Sequence, residues 1–229
     1  MKNVKTIAFD ADDTLWINEI FFREGEAQLC RMLAGYAGPQ QVIDHLYKLE
    51  MSTIKLYGYG IKSYILSMVE TALDISGGKV GADVIREIIE IGKHQMERPV
   101  EIYPGVKEVL ETLGGKYELV LATKGDLLDQ RRKLGKSGLE KYFGHVEIMS
   151  DKKTADYQKL MQKLICRPEE FLMIGNSLKS DIIPVLELGG YAIHIPCDTT
   201  WAHEEVDEPV VHPNFRSMGK ITDIPALLA

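Results

Sequence analysis

Cysteine is scarce in this chain, basic charge is nowhere concentrated, and long apolar runs are missing. The three cysteines, Cys30, Cys166 and Cys197, are an odd number at wide spacings, which fits neither a disulfide framework nor a zinc site. They read as reduced thiols in a core. Lys and Arg number 27 against 34 Asp and Glu, a formal net charge of -7, and no segment carries the basic stripe of a nucleic-acid binder. Nowhere do ~20 apolar residues run together, so no membrane span is expected. The opening MKNVKTIAFD has too few apolar residues for a signal-peptide core, and the expected location is the cytoplasm. Low-complexity tracts and internal repeats are missing too. With 45% apolar and 27% charged residues, the composition is that of an ordinary globular protein. Its 229 residues leave room for one core domain plus an insert.

Residues 4–9 form a short apolar run that reads as a strand and delivers Asp10 at its C-terminal end. In open parallel sheets that end is where ligands bind. From about residue 18 to 96 the apolar positions recur at three and four, through EIFFREGEAQLCRMLAGY, PQQVIDHLYKLEMSTIKLYG, KSYILSMVETALDIS and GADVIREIIEIGKHQ. That spacing predicts helices with no strand among them, and Gly35, Gly38-Pro39, Gly58, Gly60 and Gly77-Gly78 mark their ends. After Pro104-Gly105 the rhythm alternates. Helix VKEVLETLGG, strand YELVLAT, helix DLLDQRRKLGKSG, strand HVEIMS, helix TADYQKLMQKLI, strand FLMIGN, helix LKSDIIPVLELGG and strand YAIHIP follow in turn. Such alternation implies parallel strands with right-handed crossovers. The expected fold is α/β, a Rossmann-like doubly wound parallel sheet in a three-layer α/β/α core, interrupted by an all-helical insertion. The core is expected at residues 1–16 and 101–229 and the insertion at 17–100.

The stretch IAFDADDTLW crowds Asp10, Asp12 and Asp13 together, which is costly unless a cation or a proton sits among them. Further polar sites fall at the ends of later predicted strands: Thr123, then Lys152 or Lys153, then Asn176 through Asp181. Singly, each is a common turn, cap or loop residue. In a doubly wound sheet all of them converge on one edge. Carboxylates beside a lysine suit a hard cation and an anionic substrate. Magnesium takes oxygen ligands, keeps several waters and commonly uses one or two carboxylates with substrate phosphate. Asp10, Asp12 and Asp181 can supply those oxygens. A phosphoryl group would meet the Thr123 hydroxyl, the backbone N–H groups of Lys124 and Gly125, and the lysine ammonium.

DADDTLW, LATKG, SDKK and IGNSLKSD, in this order, resemble the four motifs of the haloacid dehalogenase superfamily, and the helical insertion resembles its C1-type cap. The resemblance covers nearly the whole chain. It implies that Asp10 is a nucleophile that forms an aspartyl-phosphate, and that Asp12 is the acid that protonates the leaving group and then the base that activates water. Thr123 would bind the phosphoryl oxygen, the motif lysine would neutralise charge, and Asp181 would complete a magnesium shell. Asp12 separates phosphoryl transfer from carbon–halogen hydrolysis, because the dehalogenases themselves lack an aspartate at that place. The implied activity is a magnesium-dependent phosphomonoesterase acting on a small soluble organic phosphate. The alternatives are a phosphotransferase or carbon–halogen hydrolase on the same scaffold, or a catalytically weak binding or regulatory relative.

Two departures from the family pattern stand out. The fourth motif often begins Gly-Asp; here Gly175-Asn176 leaves Asp181 as its only carboxylate, with the Asn176 amide oxygen as a weaker ligand. The third motif has two lysines before Thr154; Lys152 is favoured, because Lys153 lies nearer the expected helix start, and Lys153 is the alternative. The insertion is expected to act as a lid hinged near residues 16–18 and 98–100. Tyr57, Tyr59 and Tyr64, with Lys55 and Lys62, either line its inner face or pack its helices. Asp13 is read as a brace for the turn after the first strand. His194, His203, Glu204 and Glu205 are read as solvent-facing loop residues.

Overall fold

The computed structural model describes residues 1, 3–206 and 208–228. The chain divides into two compact units. The first comprises Met1–Glu19, Val100–Lys124 and Gln130–Ala229, and the second Ile20–Pro99 and Gly125–Asp129.

In the first unit, six strands form one sheet: β1 (Thr6–Phe9), β2 (Glu118–Lys124), β3 (His145–Met149), β4 (Phe171–Gly175), β5 (Tyr191–His194) and β6 (Phe215–Ser217). Every neighbouring pair is parallel, in the order β3-β2-β1-β4-β5-β6. The central strands β1, β2 and β4 are largely apolar on both faces, as parallel strands covered on both sides must be. Ile7, Phe9, Leu119, Leu121, Leu172 and Ile174 point to one face, where they pack with Val106, Val109, Leu110 and Leu113 of α5 (Val106–Gly114). Ala8, Val120, Ala122 and Met173 point to the other, against Tyr157, Leu160 and Met161 of α7 (Thr154–Lys163). Period-two alternation thus splits each strand between two helical layers, and the Rossmann-like α/β class read from the sequence is the observed one. Strand β6 was not foreseen. Of its three residues FRS only Phe215 is partly buried, and Arg216 and Ser217 are exposed, so no apolar run announces them.

The order reverses between β1 and β4, which places a crevice at their carboxyl ends. Asp10 follows β1 directly, and the Asp10 N–H donates to Ile174 O at 2.9 Å. Helix α6 (Leu127–Ser137) follows β2. After β4 the chain makes a wide π-type turn, Leu178–Ile182, before α8 (Ile183–Glu187).

The second unit is helical: most of α1 (Glu19–Met32), then α2 (Pro39–Tyr57), α3 (Ile61–Ser76) and α4 (Ala82–Glu97). Its core takes Leu29 and Leu33, Val42 and Leu46, Ile61, Tyr64, Met68 and Ala72, and Ile88 and Ile91. These are residues three or four apart, one stripe per helix. Tyr64 belongs to this core and its hydroxyl donates to Phe22 O at 2.9 Å. Tyr57 instead lies on the surface, where its hydroxyl donates to Glu70 Oε1 at 2.9 Å. Lys62 pairs with Asp126 at 2.8 Å. Among the described residues no helix is long and apolar enough to cross a membrane.

Candidate active site

Asp10 is buried at the end of β1, and its two oxygens have different partners. Oδ1 pairs with the ammonium of Lys152, and Oδ2 accepts from Thr14 Oγ1 at 3.2 Å. Lys152 is itself only 3% exposed and donates also to Asp181 Oδ1 at 2.7 Å. Lys153 points elsewhere: its side chain is 76% exposed and pairs with Asp151 at 2.7 Å. The structure therefore brings Lys152, not Lys153, to Asp10. Two buried carboxylates share one ammonium, so the cluster is one positive charge short. Burial pushes Asp10 up to about 7 against the pull of Lys152, with Asp181 and Asp12 adding to the rise. Burial also opposes the Lys152 charge, but Asp10 and Asp181 outweigh it and hold the lysine above its usual range.

Asn176 and Asp181 arrive from the segment after β4. Asn176 Oδ1 accepts from the same Thr14 hydroxyl at 3.2 Å, so one hydroxyl proton faces two oxygens. His194 presents Nε2 to Asn176 O at 2.9 Å; a carbonyl only accepts, so this ring nitrogen carries the proton. Asp181 Oδ2 accepts from Ser177 N at 3.0 Å, and Tyr157, fully buried, directs its hydroxyl at Asp181 Oδ1 over 3.5 Å. A β-carbon at position 175 would run into the Asp181 carboxylate, which explains the glycine at the end of β4.

Asp12 is placed differently. Its carboxylate accepts from Trp16 Nε1 at 2.6 Å, from Gln130 Nε2 at 3.0 Å, and from Lys133 Nζ at 2.6 and 2.8 Å. Thr123, 1% exposed at the end of β2, accepts from Gln130 Nε2 at 2.7 Å. Asp13 takes a third role. It sits at φ +59°, a conformation few residues other than glycine adopt but aspartate tolerates. Its carboxylate accepts the N–H groups of Asn18 and Glu19 at 2.9 to 3.1 Å, which braces the turn. Burial and the neighbouring Asp12 push Asp13 up to about 7.

Lys124 Nζ is committed to Ser180 Oγ at 2.9 Å and to the carboxylate of Glu204. Glu204 also accepts from Ser180 Oγ at 2.6 Å and from Ser177 Oγ. Its side chain is 10% exposed, which corrects its reading as a solvent-facing loop residue. Burial works against the Glu204 charge, but Lys124 and the two serine hydroxyls prevail and hold it down at about 2. Gly125 follows β2 directly. Sequence reasoning passed over Thr14, Gln130, Lys133 and Tyr157, and misplaced Glu204. The one signal for the pair on α6 is the i, i+3 spacing of Gln130 and Lys133 just after Thr123.

The oxygens of Asp10, Asp181 and Asn176 form a donor set of two carboxylates and one amide, lacking one positive charge; Asp12, expected to ligate with them, instead turns its carboxylate to Trp16, Gln130 and Lys133. The donor set fits a hard divalent cation such as magnesium, which keeps several waters. Among the described residues no group of three His, Cys, Asp or Glu side chains is arranged to hold an ion.

A model of the haloacid dehalogenase-like hydrolases matches residues 4–189. N-acylneuraminate-9-phosphatase of Rattus norvegicus is 23% identical over 242 residues, covering 100% of this chain and 95% of that protein. Glyceraldehyde 3-phosphate phosphatase of Methanothermobacter thermautotrophicus is 24% identical over 237 residues, 98% of each chain. The crystal structure of a haloacid dehalogenase-like family hydrolase from Xanthomonas campestris superposes with a TM-score of 0.88 at 37% identity, over 99% of this chain and 91% of that one. A family match across most of the sequence, on a sheet that gathers these acids and this lysine at one edge, makes the chain a member of the haloacid dehalogenase-like hydrolases.

Proposed function

We propose that this hydrolase is a magnesium-dependent phosphomonoesterase that acts on a small soluble organic phosphate, expected in the cytoplasm. The observation that carries the reading is the buried Lys152 joining Asp10 to Asp181 beside Asn176. The site carries one carboxylate more than its own cation balances, which suits a divalent cation that brings a phosphate with it. The two relatives named above are phosphatases by name, which supports the reaction class.

In this reading Asp10 attacks phosphorus, the bond to the leaving oxygen breaks, and Asp12 gives that oxygen a proton. Water then attacks the phosphoryl group, Asp12 takes the water proton, and the Asp10–phosphorus bond breaks to release phosphate. Thr123 and the backbone after β2 hold phosphoryl oxygens, and Lys152 offsets the charge gathered on Asp10 and the phosphoryl group. Lys124, paired with Glu204, fixes the segment after β4 against the end of β2. Asp10, Asp181 and Asn176 would hold the magnesium, which would supply the missing positive charge. The helical unit would act as the lid that selects the leaving group.

The test is hydrolysis of an aryl phosphate by the wild type and by Asp10→Asn, with magnesium and with EDTA. The expected result is turnover only for the wild type with magnesium. Equal rates in both proteins would remove Asp10 as nucleophile, and full activity in EDTA would remove the metal.

A further inference from the structure

Helix α6 carries two polar residues that none of these steps uses. Gln130 is 3% exposed, and the Lys133 side chain is 19% exposed. Three residues apart, they share a face of the helix. Lys133 Nζ reaches both oxygens of Asp12, at 2.6 and 2.8 Å, and Asn18 Oδ1 at 3.1 Å. The two hydrogens on Gln130 Nε2 are shared among three oxygens: Thr123 Oγ1 at 2.7 Å, Asp12 Oδ2 at 3.0 Å and Lys124 O at 3.0 Å.

The orientation of the Gln130 amide follows from its neighbours. A carboxylate and a backbone carbonyl are acceptors, so the nitrogen must face them. The amide oxygen is then buried with no hydrogen-bond partner, an arrangement that costs stability. Because Nε2 donates to Thr123 Oγ1, the proton of that hydroxyl is left to donate elsewhere. Meanwhile Trp16, Gln130 and Lys133 between them fill the acceptor sites of the Asp12 carboxylate and leave it a single orientation.

We propose that Gln130 and Lys133 are positioning residues for the proton-transfer step. Lys133 and Gln130 fix Asp12, and Gln130 ties it to Thr123, so that the acid/base carboxylate and the phosphate-binding hydroxyl are set by one helix. The inference rests on the phosphomonoesterase reading. Proton transfer through Asp12 requires one of its donors to yield. The flexible stem of Lys133 can withdraw, where the indole of Trp16 and the buried amide cannot. Setting both groups in advance removes the need to order them during the reaction.

A structural role and a proton-transfer role separate by leaving group. An aryl phosphate with a nitrophenolate leaving group needs no proton, whereas an alkyl phosphate such as glycerol phosphate does. Wild type, Lys133→Met, Gln130→Leu and Lys133→Arg are assayed on both, with circular dichroism to check folding. The expected loss in kcat for Lys133→Met and Gln130→Leu is about 100-fold on the alkyl phosphate, the lower end for general acid catalysis, and under about 10-fold on the aryl one. Lys133→Arg, which keeps a cation at that place, is expected to recover most of the alkyl activity. Equal losses on the two substrates, or none, in folded variants would overturn the inference while leaving an active wild type and its Asp10 requirement intact. A wild type inert toward both substrates would overturn the underlying reading with it.

Discussion

Asp10, Asp181 and Lys152 set two buried acids against one buried cation, and the consequences are sharpest for the lysine. Lys152→Met leaves both carboxylates without a buried counter-charge. Breaking a buried ion pair from one side costs about 3–5 kcal/mol, so urea unfolding at neutral pH without added metal should show a loss of that order, with activity down by about 100-fold or more. An unchanged unfolding midpoint would mean that the lysine is not holding the cluster together. The residues of this cluster were legible in the sequence because each follows a strand, and strands in a doubly wound sheet deliver their ends to one edge. Asp13 was legible as a brace for the same reason, being crowded beside two other acids at a strand end. Gln130 and Lys133 were not. They lie within DLLDQRRKLGKSG, where a run of polar and basic residues reads as a solvated helix face, and only the fold turns that face toward Asp12.

At the scale of elements, α1 and α2 of the helical unit carry an electrostatic conflict. Burial pushes Glu50 up to about 8, the Glu26 carboxylate adds to the rise, and Arg23 only partly offsets it. The folded protein thus holds a proton on Glu50 that the unfolded chain, at about 4.5, releases. The stability this group contributes is present below pH 4.5 and is lost as pH rises through about 8. Glu50→Gln removes that dependence. Relative to the wild type it should gain about 1–3 kcal/mol between pH 5 and pH 9, a range reduced from the full linkage value because Glu50 is only half-buried. Parallel unfolding curves for the two proteins would show that Glu50 is ionised throughout. Helical periodicity revealed the four long helices, and strand and helix alternation revealed five of the six strands. Strand β6 and the turn that seats Glu204 escaped notice because neither repeats an apolar pattern. Both are fixed by contacts with residues far away in the chain, Ala192 and Ile193 in one case and Lys124 in the other.

For the whole molecule, the sheet order and the family match establish a haloacid dehalogenase-like hydrolase, and the proposed chemistry adds a phosphoryl group that passes through Asp10. Carbon–halogen hydrolysis and simple phosphate binding on the same scaffold would each leave that residue unphosphorylated. Rapid acid quench of the wild type during turnover of an organic phosphate in magnesium, followed by mass spectrometry of the peptide that contains Asp10, tests this most directly. The account predicts a phosphate mass on Asp10 that disappears in Asp10→Asn. Turnover with no such adduct at any quench time, or an adduct on another residue, would contradict it.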